Sequence, residues 1–307
     1  MRVAIFDLGT NVFNLLVGRV EKGRFKIEKI IKELSFIGKA THFSNLMAEE
    51  VIESSVKAIG KMIDRYPDFD KVNIVKAVAT SAVRDASNRD EFVNAVKERF
   101  GIDVEVISGD REATLIYKGI RESMFLYDEN HLMLDIGGGS CEFIIADKEK
   151  ILWKASFQIG VARLKREINP SDPISADEII CFEEMMEHAL MPLLEQTEIY
   201  NPKILIGSSG SFDTIRELMF PEDDGSLPAM ELPINMYNDL HSRLLNSTRE
   251  ERAAMPGMPS IRVDYIVLGS MIVDYVIARC GIGEMLQSAY SLKEGYAMEI
   301  AEIFNEK

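Results

Sequence analysis

Residues 2–6 form a short, mostly apolar run that ends in Asp7-Leu8-Gly9-Thr10-Asn11, a pattern that predicts a strand followed by a tight turn. Phe13, Leu15 and Val17 alternate with Asn14, Leu16 and Gly18, which predicts a returning strand, and 25–34 has the same β character. Ile52, Val56, Ile59 and Ile63 fall at helical spacing and predict a helix over 48–66. A buried strand over 72–79, a helix over 89–100, a short strand over 104–107 and a helix over 109–124 follow. The pattern then restarts. Residues 131–136 predict a strand that runs into Asp135-Ile136-Gly137-Gly138-Gly139-Ser140, with strands over 143–146 and 151–157 and helices over 161–168 and 176–195. A strand over 203–206 leads into Gly207-Ser208-Ser209-Gly210-Ser211 and a helix over 212–218. Asp, Gly, Ser and Pro make 221–233 a loop, and the remainder is expected to be mostly helical: 234–246, a short piece after Thr248, 263–280 and 292–303.

The restart is an internal repeat. Two strand, Asp-x-Gly turn, strand units stand 128 residues apart, at Asp7 and Asp135, and a period this long marks a duplicated domain and not a solenoid. The division is expected between two units, residues 1–124 with 292–307 and residues 125–291.

Composition narrows the function classes. The 307 residues are 47% hydrophobic, enough for packed cores, and carry a formal net charge of −15, a poor basis for general nucleic-acid or anionic-membrane binding. Any polyanion must meet a local basic or amide-rich site. Cys141, Cys181 and Cys280 form no C-x-x-C pair, and His42, His131, His188 and His241 are scattered, so neither a disulfide framework nor a zinc site is indicated. There is no signal-peptide pattern at the start and no apolar run long enough for a transmembrane helix, so a cytoplasmic protein is expected.

The candidate chemistry gathers at the turns. Turns rich in Gly, Ser and Thr leave backbone N–H groups to point at one anion, and phosphate is their usual guest. A carboxylate beside a phosphate is repelled unless a cation lies between, and Mg²⁺ held by carboxylate and substrate oxygens resolves this. Either turn alone also reads as an ordinary hairpin with a capping Asp. Two copies and a third loop at Gly207-Ser208-Ser209-Gly210-Ser211 favour phosphate. Thr80-Ser81-Ala82-Val83-Arg84 suits phosphate equally with a plain helix N-cap and a surface Arg. Glu112 in a first helical turn is expected from the helix dipole, or serves as a carboxylate that orients water for attack on phosphorus.

Together these segments resemble the exopolyphosphatase / guanosine pentaphosphate phosphatase family, of the sugar-kinase, heat-shock-chaperone and actin superfamily, over essentially the whole chain. The resemblance runs through Asp7-Leu8-Gly9-Thr10-Asn11, Ala79-Thr80-Ser81-Ala82-Val83-Arg84-Asp85, Ser108-Gly109 into Glu112-Ala113, Asp135 to Ser140 with Glu142, Gly160 with Arg163, Arg262-Val263-Asp264 with Gly269, and Lys293-Glu294-Gly295. It implies an α/β fold of two actin-like (ribonuclease H-like) domains, each a mixed five-stranded sheet flanked by helices, with the active-site cleft between them. It implies Glu112 as the base that activates water; Asp135 and Glu142, with Asp7 less strongly, as carboxylates at Mg²⁺ or Mn²⁺; and Thr10, Asn11, Thr80, Ser81, Arg84, Gly137, Gly138, Gly139, Ser140, Ser209 and Gly210 as phosphate contacts. The implied activity is hydrolysis of the terminal phosphate of inorganic polyphosphate. Guanosine pentaphosphate hydrolysis, or regulatory binding without turnover, are the alternatives. A homodimer, with no nucleic-acid or membrane partner, is the implied state.

The chain departs from the family pattern. Val12 and Asn14 stand where Ser and Arg or His are usual, Phe36 replaces an arginine, Thr114 stands where Arg is common and Cys141 replaces Thr. Lost charge-assisted contacts, each ~1.5–3 kcal/mol, imply weaker polyphosphate binding or a different substrate. The sequence ends at Lys307 without the helical C-terminal domain of longer members, which implies reduced processivity on long chains.

Overall fold

The computed structural model describes residues 1–35, 37–40 and 45–305; Phe36 and His42 lie outside the described residues. In chain order the elements are β1 (Arg2–Leu8), β2 (Val12–Glu21), β3 (Arg24–Leu34), α1 (Ile37–Ala40), α2 (Glu49–Asp64), β4 (Ile74–Ala79), α3 (Ser81–Arg84), α4 (Arg89–Phe100), β5 (Val104–Val106) and α5 (Gly109–Ser123). The second series is β6 (His131–Ile136), β7 (Cys141–Ala146), β8 (Ile151–Phe157), α6 (Val161–Ile168), α7 (Ala176–Ala189), α8 (Met191–Tyr200), β9 (Ile204–Ser208), α9 (Ser209–Met219), β10 (Ala229–Glu231), α10 (Ile234–Leu245), α11 (Arg249–Ala253), α12 (Ile266–Cys280), β11 (Glu284–Ser288) and α13 (Leu292–Asn305). The chain divides into two compact units, Met1–Gly119 with Leu292–Lys307, and Ile120–Ser291.

The first unit holds a mixed five-stranded sheet in the order β3-β2-β1-β4-β5. β1 runs antiparallel to β2 and parallel to β4. Because side chains alternate across a strand, β1 feeds two cores at once. Ala4, Phe6 and Leu8 pack with Ile59 and Met62 of α2 and Phe92 and Val96 of α4. Val3 and Ile5 pack with Leu16 and Val20 of β2 and Ala297, Ile300 and Ala301 of α13. With both faces covered, the strand reads as a continuous apolar run instead of an alternating one.

The second unit repeats the plan as β8-β7-β6-β9-β11, with the same strand directions: β6 antiparallel to β7, parallel to β9, and β9 parallel to β11. A sixth strand, β10, adds antiparallel to β11 at the edge, so the expected five strands are present and one short strand extends them. The core lines Leu132, Leu134 and Ile136 of β6 and Cys141, Phe143 and Ile145 of β7 against α6, α7, α9 and α12. The opposite face of this β6–β7 ladder carries Asp135 and Glu142, paired directly across it.

Three expectations are corrected. The helix over 176–195 is two helices, α7 and α8, that meet at Leu190 with Pro192 in the first turn of α8, where proline's missing N–H costs nothing. The loop over 221–233 contains β10, and the mostly helical remainder contains β11. Among the described residues no helix is long and apolar enough to cross a membrane.

Candidate active site

In the first unit, β1 delivers Asp7 to its C-terminal end and the chain turns at Gly9, where a Cβ would sit 2.9 Å from the Val12 carbonyl oxygen. Asp7 stands opposite Asn14 on β2, and Asn14 Nδ2 donates to Asp7 Oδ2 at 3.0 Å. Thr10 is buried, with its Oγ1 3.1 Å from Ser81 Oγ. Asn11 is in the same turn and its carbonyl accepts from the Ser35 amide. Thr80 and Ser81, both buried, lie at the junction of β4 and α3, and the Thr80 amide donates to the Leu8 carbonyl at 3.4 Å. The structure therefore brings Thr10, Thr80 and Ser81 to one sheet end, with Asp7 on the same strand.

Arg84, in the last turn of α3, reaches the start of α5. Its Nη1 donates to Glu112 Oε2 at 2.9 Å and to the Ile107 carbonyl at 3.0 Å, while its Nη2 is buried and without a hydrogen bond among the described residues. Ser108 precedes α5 and its Oγ accepts from the Arg111 amide, the N-cap arrangement that fixes the helix start. Glu112 thus sits in a capped first turn, is 7% exposed and is clamped by a guanidinium. The spacing of Glu112 and Arg84 in sequence gives no hint of this pair, because it depends on the strand–helix crossing between them.

In the second unit, the loop between β6 and β7 is held from behind. The amides of Val161, Ala162 and Gly160 donate to the carbonyls of Gly137, Gly138 and Gly139 at 3.0, 2.8 and 3.3 Å, the Arg163 amide to Gly138 at 3.2 Å, and Arg163 Nε to Gly139 at 3.0 Å. The first turn of α6 thus spends its unpaired N–H groups on the loop's carbonyls. The loop's own amides at Gly138, Gly139 and Ser140 have no internal acceptor among the described residues, whereas Gly137 donates to Ser140. Gly160 is required for this contact, since a Cβ there would lie 2.4 Å from the Gly138 backbone carbon. Three amides on one short turn make an anion cradle.

Beside the cradle lie two buried carboxylates. Glu142 Oε1 accepts from Ser140 Oγ and Ser156 Oγ, each at 2.7 Å. Asp135 Oδ2 accepts from Ser208 Oγ at 2.9 Å, Ser209 Oγ at 2.5 Å and Ser291 Oγ. Asp135 has no ion pair among the described residues. Burial pushes the Cys141 thiol well up, and the neighbouring Glu142 and Asp135 charges add to it, so this cysteine is packed material and no nucleophile. Ser209 and Gly210 open α9. The Arg262 guanidinium lies on Gly210, where a Cβ would fall 1.6 Å from Nη2. Burial pushes this guanidinium down from the ordinary arginine range, and Asp213, Glu217 and Asp135 pull it back.

Sequence reading assigned no role to Arg163, Arg262, Ser208 or Ser291. The first two stand in quoted motifs and carry charge, a usable signal. Ser208 stands in the third glycine- and serine-rich loop, a weaker signal, and Ser291 had none.

Two unlike carboxylates directly opposite on a ladder repel, and a divalent cation bound by one or both, with substrate oxygens, is the fitting counterpart. Among the described residues no cluster of three or more His, Cys, Asp or Glu side chains is placed to hold a metal by itself.

The chain is similar to proteins of known family and structure. The model of the Ppx/GppA phosphatase family matches residues 16–303. Exopolyphosphatase 2 of Mycobacterium tuberculosis is 27% identical over 316 residues, 98% of each chain. The crystal structure of an exopolyphosphatase from Cytophaga hutchinsonii superposes with a TM-score of 0.91 at 33% identity, covering 98% of both chains. The Aquifex aeolicus member of the Ppx/GppA family gives 0.81 at 25% identity, over 100% of this chain and 99% of that one.

Proposed function

The chain belongs to the Ppx/GppA phosphatase family, and from that premise we propose that it is an exopolyphosphatase, a phosphoanhydride hydrolase that releases the terminal phosphate of inorganic polyphosphate. The observation that carries the reading is the glycine loop of the second unit, with its carbonyls tied to α6 and its amides at Gly138, Gly139 and Ser140 unspent. Such amides, fixed before substrate arrives, are worth most where negative charge develops on the phosphoryl oxygens.

In this reading Glu112 takes the proton of the attacking water. Its capped turn and the Arg84 clamp hold the carboxylate in one orientation, which is what general-base catalysis needs. The remaining Nη2 of Arg84 and the hydroxyls of Thr10, Thr80 and Ser81 serve phosphate oxygens. Asp135 and Glu142 would hold Mg²⁺ or Mn²⁺, which supplies charge neutralisation at the substrate's oxygens. Arg262, seated on Gly210 at the start of α9, adds a fixed cation to the same unit.

The test is phosphate release by the purified chain with Mg²⁺ from short polyphosphate, long polyphosphate and guanosine pentaphosphate. Release from polyphosphate that is lost in Glu112→Gln supports the assignment. No release from any of the three overturns it.

A further inference from the structure

Resting on the metal assignment above, we infer that Ser208 and Ser291 are positioning residues: together with Ser209 they occupy Oδ2 of Asp135 and fix its carboxylate with Oδ1 as the oxygen offered to a divalent cation.

The three hydroxyls come from two places in the chain. Ser208 ends β9 and is the direct ladder partner of Asp135. Ser209 follows it with φ of 67°, a left-handed backbone that non-glycine residues rarely adopt. Ser291 follows β11 and precedes α13, 156 residues from Asp135. All three converge on the same oxygen. One carboxylate oxygen has about two lone-pair sites, so Oδ2 is saturated and has no capacity for a metal. Oδ1 has no protein donor among the described residues. The carboxylate therefore works as a single-oxygen ligand whose torsion is set by its neighbours. The uncommon Ser209 conformation is part of the same device, since it is the residue that turns β9 into α9 while its hydroxyl reaches Asp135.

A buried carboxylate in need of hydrogen bonds would be served by any donors on either oxygen. Three donors on one oxygen and none on the other is what orienting the group requires. Outer-shell partners of this kind typically change metal affinity by about 10–100-fold when removed.

The experiment is Mn²⁺ titration of the full chain, with inorganic phosphate present, read by the electron paramagnetic resonance of free Mn²⁺. Ser291→Ala and Ser208→Ala are each expected to weaken Mn²⁺ binding by about 10-fold or more with the circular-dichroism melting curve retained, and Ser291→Thr to keep it. Asp135→Asn losing Mn²⁺ while both alanine variants keep parental affinity overturns the inference and spares the metal assignment. Equal affinity in the parent and Asp135→Asn removes the cation from Asp135 and takes both down.

Discussion

Asp7 and Asp135 hold the same place in two copies of one strand–turn–strand unit. Gly9 and Gly137 make the same close approach, to the carbonyls of Val12 and Ser140, at 2.9 and 2.8 Å for an added Cβ. The residue across the ladder differs. Asp7 faces Asn14, an amide that donates to it; Asp135 faces Glu142, a second carboxylate. On the parallel side Asp7 has Val78 as its partner and Asp135 has Ser208. One backbone thus supports two electrostatic solutions. In the first unit a neutral donor satisfies the aspartate in place. In the second, two buried acids share a ladder position and take serine hydroxyls as donors. The two Asp-x-Gly turns share a backbone, and the residue directly across the ladder on the neighbouring strand sets the charge that each aspartate meets.

Four sets of substitutions test whether the two units differ in this way. Glu112→Gln should give the largest loss, about 10³-fold in turnover with KM changed only a few-fold, in a phosphate-release assay; unchanged turnover removes the base. Asp135→Asn should lower turnover by about 10²-fold and shift the Mg²⁺ dependence, while Asp7→Asn costs about 5-fold or less with no shift. Equal losses would make the two loops equivalent and end the distinction. Gly160→Ala should push the loop off α6 and lower turnover about 10-fold, with a stability cost of ~1–3 kcal/mol seen in urea melts. Asn14→Asp recreates in the first unit the acid pair of the second. It should cost ~1 kcal/mol, recovered on adding Mg²⁺, and a melting point indifferent to Mg²⁺ would show that two carboxylates alone do not suffice.

Much of this was legible in residue order. The 128-residue repeat of Asp-x-Gly announced the matched sheets, because a strand ending in a tight turn leaves a local signature of apolar residues and glycine. β11 was missed because Glu284-Met285-Leu286-Gln287-Ser288 has two apolar residues and draws its strand character from lying between β9 and β10. The single helix expected over 176–195 passes over the break between α7 and α8 because Pro192 lies among Leu190, Met191, Leu193 and Leu194, although proline marks a helix start as readily as an interruption. At the site, the roles given to Glu112 and Glu142 came from the family resemblance, while the glycine turns and the aspartates that enter them were legible from local chemistry. The Arg84 clamp on Glu112 and the serines on Asp135 were not, since a hydroxyl is common and its partner is chosen by chain crossings far apart in sequence.

α13 has a consequence for how the molecule comes into being. It covers Val3, Ile5, Leu16 and Val20, residues that precede the second unit in the chain, yet itself follows that unit. Its Gly295 lies against α5 so closely that a Cβ would be 1.8 Å from the Leu115 carbonyl oxygen. During synthesis the contiguous second unit has its whole sequence available before the first one does. β1 and β2 must wait, with one apolar face bare, until the segment that covers it has been made. The second unit can therefore close on its own sequence while the first still has an apolar sheet face open to water.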